Sequence, residues 1–289
     1  MKRNAVLIVV VLSVLTVFNL NCQRKASAKG ISLEVSFSTK PLSDNLITDM
    51  TYKWKTSPDF KKIDRDYYVF VHFWNKTNML FQDDHVPAVP LNQWEPNKEY
   101  TYTRRIYIPS FIDEFDPQFK GEESLKLVVG IYSPFDRTGK SKAEVMNSTL
   151  AVLPPPPDSP EIIYEAGWFD QESSATSALK QWRWTGPEAR CIIDNPHRDA
   201  LLVIRGGVNT DAVKDQKITL KINDQVLDEF SAPGGSFDKS YTVKKEMMGT
   251  KDEFSLLIVT DKPFVPAQVF PGSKDTRSLG VMVSFLYFR

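Results

Sequence analysis

Cysteine and histidine are scarce in this chain of 289 residues, which contains two cysteines and three histidines. Two cysteines cannot supply the disulfide framework of a small exported domain, and Cys22 stands far from Cys191. The apolar residues after Cys191 predict that its thiol is buried and unpaired. Metal sites need three or four converging ligands, whereas His72 and His85 offer only loose proximity to Asp83. We therefore predict no metal and no other cofactor.

An excess of either charge is also missing, because 36 basic residues balance 36 acidic ones. No nucleic-acid partner is therefore predicted. The sequence has no Gly-x-Ser-x-Gly elbow, no His-Glu-x-x-His pair and no phosphate-binding glycine loop. Asp83-Asp84 and Glu122-Glu123 are carboxylate pairs only along the chain, and adjacent strand residues point to opposite faces. We predict that the protein is not an enzyme.

The chain has one long hydrophobic run, Ala5 to Leu20, which follows the charged residues Lys2 and Arg3. A charged start with an apolar middle is typical of a secretory signal. As a helix this run would rise about 24 Å, which is short of the roughly 30 Å hydrocarbon layer of a membrane. We therefore predict a cleaved signal peptide over residues 1–21, with an uncleaved signal anchor as the alternative.

The residues that end this run, Asn19-Leu20-Asn21-Cys22, resemble the lipobox of a bacterial lipoprotein, although Asn occupies the two places that usually hold an aliphatic and a small residue. The resemblance implies palmitate on Cys22, a lipidated tether over residues 22–30 and attachment to a membrane of the bacterial cell envelope. Gln23 lacks the aspartate that retains many lipoproteins in an inner membrane, which favours the outer membrane. Ordinary secretion with an incidental cysteine is a further alternative.

Proline marks the clearest domain boundary, because Pro154 to Pro157 are consecutive. Such a run adopts an extended and semi-rigid conformation. The sequence therefore predicts a linker over residues 154–160 between one domain at 31–153 and another at 161–289.

Alternating polar and apolar residues predict that both domains are all-β. Seven short alternating stretches in the first domain indicate an immunoglobulin-like antiparallel β-sandwich. A hairpin turn over Asn75–Asn78 would place His72 opposite Phe81. Nine similar stretches in the second domain indicate a jelly-roll or related sandwich of eight or nine strands, like many carbohydrate-binding modules. The best helix candidate is Ser173–Lys180.

Tryptophans are the most informative candidates for a binding site. Trp168, Trp182 and Trp184 lie near the start of the second domain, and exposed aromatic faces can stack on sugar rings. Trp182 and Trp184 flank one residue, so both should point to the same side of a strand. Filling the core of the sandwich is the alternative role for this pair.

Asp275 and Arg277 would share one face of an extended stretch. Arg277 could anchor a loop through a carboxylate, or it could hydrogen-bond a sugar hydroxyl or an acidic sugar. We therefore add both residues to the candidate ligand-binding set.

Four segments of the first domain carry a family pattern: Tyr68–His72, Asp84-His85, Gln93–Asn97 and Val129–Tyr132. Together they resemble a β-sandwich module found beside or within bacterial membrane glycosyltransferases of the mannosyltransferase-like type. In this pattern Asn97 replaces the usual glycine, and Phe73-Trp74 replaces a more aliphatic strand end. The second domain is similar to a companion sandwich from the same cell-surface polysaccharide setting, through Gly167–Phe169, Trp182–Thr185, Phe264–Ala267 and Asp275–Val281.

The resemblance implies two sandwich folds and no catalytic role for either module. Our first hypothesis is a non-enzymatic envelope lipoprotein that binds glycan, or a partner in the assembly of cell-surface polysaccharide. The alternative is a structural or adaptor lipoprotein that contacts an envelope protein, for example by strand addition at an exposed sheet edge. A hydrolase of envelope polymer is a third hypothesis, and it would require two carboxylates facing each other in one cleft.

Overall fold

A computed structural model describes residues 28–63, 65–139, 141–174 and 177–289 of the protein. Cys22 and the predicted signal peptide lie outside the described residues. The chain divides into two compact units, one ending at Pro155 and the other spanning Pro156–Arg289. Within the described ranges, no helix has the length and apolar character needed to cross a membrane.

The first unit is a sandwich of two sheets. Its described residues form the strands β1 (Ile31–Phe37), β2 (Leu42–Ser43), β3 (Leu46–Thr56), β4 (Tyr68–Asn75), β5 (Asn78–Gln82), β6 (Glu99–Ile108), β7 (Glu123–Tyr132) and β8 (Ala143–Leu153), and one 3-10 turn at Leu91–Gln93. One sheet has the order β1-β3-β6 and the other the order β2-β8-β7-β4-β5. Neighbouring strands are antiparallel except for the short parallel pair β2 and β8. The predicted immunoglobulin-like sandwich is confirmed.

Period-two alternation explains why these strands form a sandwich. Met50, Tyr52 and Trp54 of β3 point inward and are fully buried. Val71 and Phe73 of β4 face them from the other sheet and are equally buried. The residues that alternate with Met50, Tyr52 and Trp54 along β3 are only partly buried, and they lie on the outer face of the sheet.

The β4–β5 hairpin turns at Asn75–Asn78 as predicted, with Asn75 paired with Asn78. A β-bulge between Phe73 and Trp74 then shifts the register by one residue, so that His72 lies opposite Gln82 and Phe73 opposite Phe81. The prediction that His72 pairs with Phe81 is therefore wrong. A strand register inferred from the position of the turn assumes a regular ladder, and a β-bulge breaks that assumption.

The second unit is also a sandwich, with five strands in each sheet. Its described residues form β9 (Ile162–Tyr164), β10 (Trp168–Ser174), β11 (Ser177–Thr185), β12 (Glu188–Asp194), β13 (Ala200–Gly207), β14 (Lys217–Ile222), β15 (Gln225–Ser231), β16 (Ser236–Val243), β17 (Glu253–Thr260) and β18 (Met282–Phe288), with the single-turn helices α1 (Lys245–Met248) and α2 (Pro266–Val269). The sheet orders are β10-β11-β18-β13-β16 and β15-β14-β17-β12-β9. The predicted all-β sandwich is confirmed, with ten described strands rather than eight or nine.

Cys191 lies in the core of this unit and is fully buried. Burial raises the pKa of its thiol to about 12. A thiol with so high a pKa stays protonated near neutral pH and is a poor nucleophile. The predicted buried, unpaired cysteine is therefore confirmed.

The predicted helix at Ser173–Lys180 is wrong, because strands β10 and β11 occupy the described part of this segment. Ser173 pairs with Gln181, and Ser174 pairs with Ser177, in an antiparallel ladder. Cross-strand pairing outweighs the weak local preference of this segment for a helix.

Candidate functional site

An open groove lies on the outer face of the five-stranded sheet in the first unit. It has a volume of about 630 Å³, within the range of roughly 300–1,000 Å³ that is typical of ligand pockets. The described residues that line it are Phe70, His72, Trp74, Lys76, Thr77, Lys126, Val128, Gly139, Lys142 and Glu144.

Aromatic rings form the floor of this groove. Phe70, His72 and Trp74 are alternate residues of β4, so they share the outer face of the strand. The ring centroids of Phe70 and His72 are 5.1 Å apart, and those of His72 and Trp74 are 6.5 Å apart. Tyr132 of β7 extends the row, with its centroid 6.4 Å from that of Phe70. Trp74 and His72 remain partly exposed, whereas Phe70 is buried.

Gly130 of β7 gives the Phe70 ring its place in the floor. The two residues are paired across β4 and β7. A Cβ atom at Gly130 would lie 2.1 Å from the carbonyl oxygen of Ala143 and 2.5 Å from the Phe70 ring. Only glycine therefore lets the ring lie this close to β7.

Hydrogen bonds at the base of the groove hold His72 in position. Nε2 of His72 lies 3.3 Å from Oδ1 of Asp84, and the backbone N–H of Val71 donates to the same carboxylate oxygen at 3.1 Å. Burial acts to raise the pKa of Asp84, but these contacts outweigh it and hold the pKa below its ordinary value. Asp84 is therefore ionised near neutral pH and orients the imidazole.

Lysines surround the aromatic floor. Nζ of Lys142 stands 4.2 Å from the centroid of the Phe70 ring, in a cation–π contact. Lys76 and Lys126 are exposed on the lining of the groove. Glu144 is the one carboxylate among the described lining residues, and it accepts a hydrogen bond from the side chain of Asn147.

The loop that carries Lys142 has an internal anchor at Asp136. Its carboxylate accepts hydrogen bonds from the hydroxyl and the backbone N–H of Thr138 and from the backbone N–H of Ser141. The Thr138 hydroxyl, together with these backbone donors, holds the pKa of Asp136 well below its usual range. The loop is thereby fixed beside the groove by an Asx-type turn.

Asp83 and Asp84 point to opposite sides of the hairpin, as expected for adjacent strand residues. Asp83 forms a two-pronged pair with Arg104, with both N–O distances 2.6 Å. Nε2 of the buried His85 lies 2.8 Å from the hydroxyl of Tyr102. Burial lowers the pKa of His85. Among the described residues, no group of three His, Cys, Asp or Glu side chains is arranged to hold a metal ion.

In the second unit the structure brings together Trp182, Arg277 and Asp275, three of the residues predicted to bind ligand. Arg277 forms a bidentate pair with Asp275 and a second ion pair with Glu172 at 2.8 Å. The Trp182 indole N–H donates to the other oxygen of Glu172 at 3.2 Å. The Arg277 guanidinium also lies 5.0 Å from the centroid of the Phe169 ring.

These contacts pair Arg277 with two carboxylates, those of Asp275 and Glu172. The hydrogen bonds that Arg277 donates hold the pKa of Asp275 below its ordinary value. The Asp275 carboxylate in turn raises the pKa of Arg277. The geometry corresponds to the first of the two roles considered for Arg277, the anchoring of a loop through a carboxylate.

Trp184 lies on the same outer face as Trp182; it is half-buried, and a loop segment packs on it. Its ring packs edge to face on Phe264, with centroids 6.0 Å apart, and Phe264 packs in turn on Phe270. Both phenylalanines belong to the segment 261–281 between β17 and β18. Trp184 therefore holds this segment against the sheet.

Trp168 lies apart from the other two tryptophans. It packs against both apolar clusters of the second unit, and its indole N–H donates to the carbonyl oxygen of Arg190 at 2.9 Å. The three tryptophans thus do not form one platform. The side chain of Trp168 fills the edge of the core. Core filling is the role that the sequence analysis considered as an alternative for Trp182 and Trp184.

The groove of the first unit was missed as a site by the sequence analysis. The signal was present in the alternation of Tyr68, Phe70, His72 and Trp74, which puts four rings on one face of a strand. The alternation alone does not show which face of β4 is the outer one, because both faces of the strand are apolar or aromatic.

No family model matches the sequence, and no curated protein matches it. Among solved structures, one of carbohydrate-binding modules from the β-sandwich superfamily has 9% identity and a TM-score of 0.25, covering 91% of this chain and 99% of that one. SGBP-B from a complex xyloglucan utilization locus in Bacteroides uniformis has 10% identity and a TM-score of 0.27, covering 88% and 98%. The secreted serine protease VesC from Vibrio cholerae has 9% identity and a TM-score of 0.24; the match covers 89% of this chain and 51% of that chain, so the chain spans about half the length of the protease. At such low values no function is transferred from these structures.

Proposed function

We propose that the protein is a non-catalytic glycan-binding protein of the bacterial envelope, and that the groove of the first unit is its binding site. The observation that carries the proposal is the row of outer-face rings Phe70, His72 and Trp74 between polar walls. Aromatic faces stack on the C–H groups of sugar rings, and the surrounding polar groups hydrogen-bond the hydroxyls.

Trp74 is the ring best placed for such stacking. It is partly exposed at the end of the row, next to the β4–β5 turn. Phe70 serves instead as a support, because it is buried and the ammonium group of Lys142 covers one face of its ring. A sugar bound here would contact Trp74 and His72 and would have Lys126 and Lys142 within its surroundings.

Glycan-array binding of the purified protein tests this proposal, followed by calorimetry on the best ligand. Replacing Trp74 by alanine should weaken binding by about tenfold, which is the value of one stacking contact. Phe115→Ala is the matched control, because Phe115 is 95% exposed in the same unit and does not line the groove. If the protein bound no envelope glycan and no host glycan, the proposed glycan binding would be wrong.

The membrane anchor is a separate part of the proposal and depends on Cys22. Metabolic labelling with a clickable palmitate should mark the wild-type protein and fail to mark Cys22→Ala. Cys191→Ala is the control, because Cys191 is buried and should not affect labelling. Labelling that survives Cys22→Ala would contradict the anchor.

An adaptor that contacts an envelope protein is the second candidate. Its supporting observation is that the rings of Phe115 and Phe135 are 95% and 79% exposed, which leaves them available to a partner. Co-purification separates the two functions. A stoichiometric protein partner that is lost in Phe115→Ala, together with no affinity for sugar, would favour the adaptor.

A further inference from the structure

We infer that the groove of the first unit selects acidic glycans, whose sugars carry a carboxylate. This inference rests on the proposed glycan-binding function and adds the ligand class. It comes from the distribution of charge around the aromatic floor.

The groove is positively charged although the chain as a whole is neutral. Lys76, Lys126 and Lys142 line it, against the carboxylate of Glu144 among the described lining residues and that of Asp84 at its base. The 36 basic and 36 acidic residues of the whole sequence cancel, so this local excess does not follow from composition. A concave site lined by one sign of charge raises the local concentration of ligands of the opposite sign.

Two of these ammonium groups are available to a ligand. Within the described residues neither Lys76 nor Lys126 forms an ion pair or a hydrogen bond through its side chain. By contrast, Lys53 and Lys55 in the other sheet of the same unit are each paired with a glutamate. Lys142 lies over the face of the Phe70 ring and close enough to Asp84 to interact with its charge, and its three N–H donors can still turn toward an anion.

The position of the lysines relative to Trp74 suits a sugar acid. Lys126 is the partner of Trp74 in the β4–β7 ladder, so the two side chains stand side by side on the outer face. A sugar ring stacked on Trp74 would therefore bring a carboxylate substituent within reach of Lys126. A charge-assisted hydrogen bond of this kind is stronger than one to a neutral hydroxyl.

Acidic polymers and their carboxyl-reduced forms provide the test. Carboxyl reduction converts each uronate into the neutral sugar and keeps the linkage, so only the charge differs within a pair. We would measure the affinity of the purified protein for polygalacturonate, alginate and hyaluronan, each beside its reduced form, in 50 mM and 500 mM salt. We expect at least one acidic polymer to bind about tenfold more tightly than its reduced partner in 50 mM salt, and this ratio to shrink at 500 mM salt.

Substitution of the lysines makes the test specific to the groove. Lys126→Gln and Lys142→Gln should each weaken binding of the acidic polymer by about fivefold and reduce its preference over the carboxyl-reduced form. Lys98→Gln is the control, because Lys98 is also exposed in the first unit but does not line the groove.

The outcomes distinguish this inference from the proposed function. Equal binding of the acidic and reduced polymers, or binding of neutral glycans only, would overturn the selection of acidic sugars and leave glycan binding intact. Failure to bind any of these polymers or any array glycan would overturn both. Binding of acidic polymers that Lys126→Gln, Lys142→Gln and Lys98→Gln weaken equally would assign the effect to general surface charge and overturn the inference.

Discussion

The two units use the aromatic side chains of their outer sheet faces differently. In the first unit Trp74 and His72 are half-buried and line a groove. In the second unit Trp184 is half-buried on an outer face too, but the 261–281 segment packs on it through Phe264. The same alternation of residues thus lines a groove in one unit and holds a loop in the other.

A central glycine shows the same contrast. Gly130 in β7 leaves room for the ring of Phe70, which belongs to the floor of the groove. Gly206 in β13 leaves room for the ring of Phe237, which belongs to the core of the second unit. Each sandwich therefore uses a glycine to bring a ring against its sheet, one on the outer face and one on the inner face.

The largest expected effect is that of Gly130→Ala. The added methyl group would overlap the Ala143 carbonyl oxygen, a backbone atom that cannot turn away. We expect a loss of about 3 kcal/mol in the free energy of unfolding, measured with urea. Gly234→Ala is the control, because nothing lies within 4 Å of that position, and it should change stability by less than about 0.5 kcal/mol. Equal losses would show that Gly130 has no special packing role.

A pair of tryptophan variants tests the comparison directly. Trp184→Ala should cost about 2 kcal/mol of stability, less than a fully buried tryptophan, and should leave glycan binding unchanged. Trp74→Ala should have the opposite profile, with a stability loss below about 1 kcal/mol and weaker binding. Urea unfolding and calorimetry on both variants provide the measurement. If Trp184→Ala weakened binding and Trp74→Ala did not, the assignment of open and covered rings would be reversed.

A smaller effect is expected for Arg277→Gln, which removes the pairs with Asp275 and Glu172. These side chains are about one-third exposed, so we expect a loss of about 1 kcal/mol. Hydrogen exchange should accelerate at the amide of Ala267, which donates to the Asp275 carbonyl. The hydrogen-exchange rate of the His85 amide in the first unit should not change. Arg198→Gln is the control, since its single pair with Asp158 is largely exposed and should contribute nothing measurable.

The smallest expected effect is a dependence of stability on pH through His85. Its pKa is lowered by burial in the folded state, so below the ordinary value of about 6.5 the unfolded chain takes up a proton before the folded one does. Stability should therefore decrease as the pH falls from about 6.5 to the lowered pKa, and this contribution should then level off.

Unfolding midpoints between pH 7.5 and 5 measure this effect. His85→Gln should flatten the dependence, whereas His197→Gln in the second unit should not, because the side chain of His197 is 53% exposed. A pH dependence that persists unchanged in His85→Gln would assign it to other groups.

Strand positions were largely predictable because a sandwich strand has a local signature. The alternation in segments such as Leu46–Thr56 and Glu253–Thr260 correctly indicated which side chains are buried. Strand β10 was missed, since its sequence Trp168–Ser174 lacks this alternation and pairs at the edge of a sheet. The two-residue strand β2 is too short for any periodicity to be recognised.

The candidate site was much less predictable than the fold. Asp275 and Arg277 were correctly placed together, because residues two apart in an extended segment share a face. The third partner, Glu172, comes from a distant strand and had no signal in the sequence. Likewise, the bulge at Phe73 and Trp74 separates His72 from the expected partner Phe81, and a bulge has no consistent sequence mark.

Local pattern was sufficient for the two sandwiches and for the buried cysteine, because strand alternation and apolar runs depend on neighbours in the chain. Long-range contacts were required to distinguish Trp74 from Trp184. Each tryptophan occupies an outward position on a strand, and no residue near either one in sequence indicates whether a loop will cover it. The covering of Trp184 by Phe264 joins residues far apart in the chain, so it arises only when the second sandwich has folded.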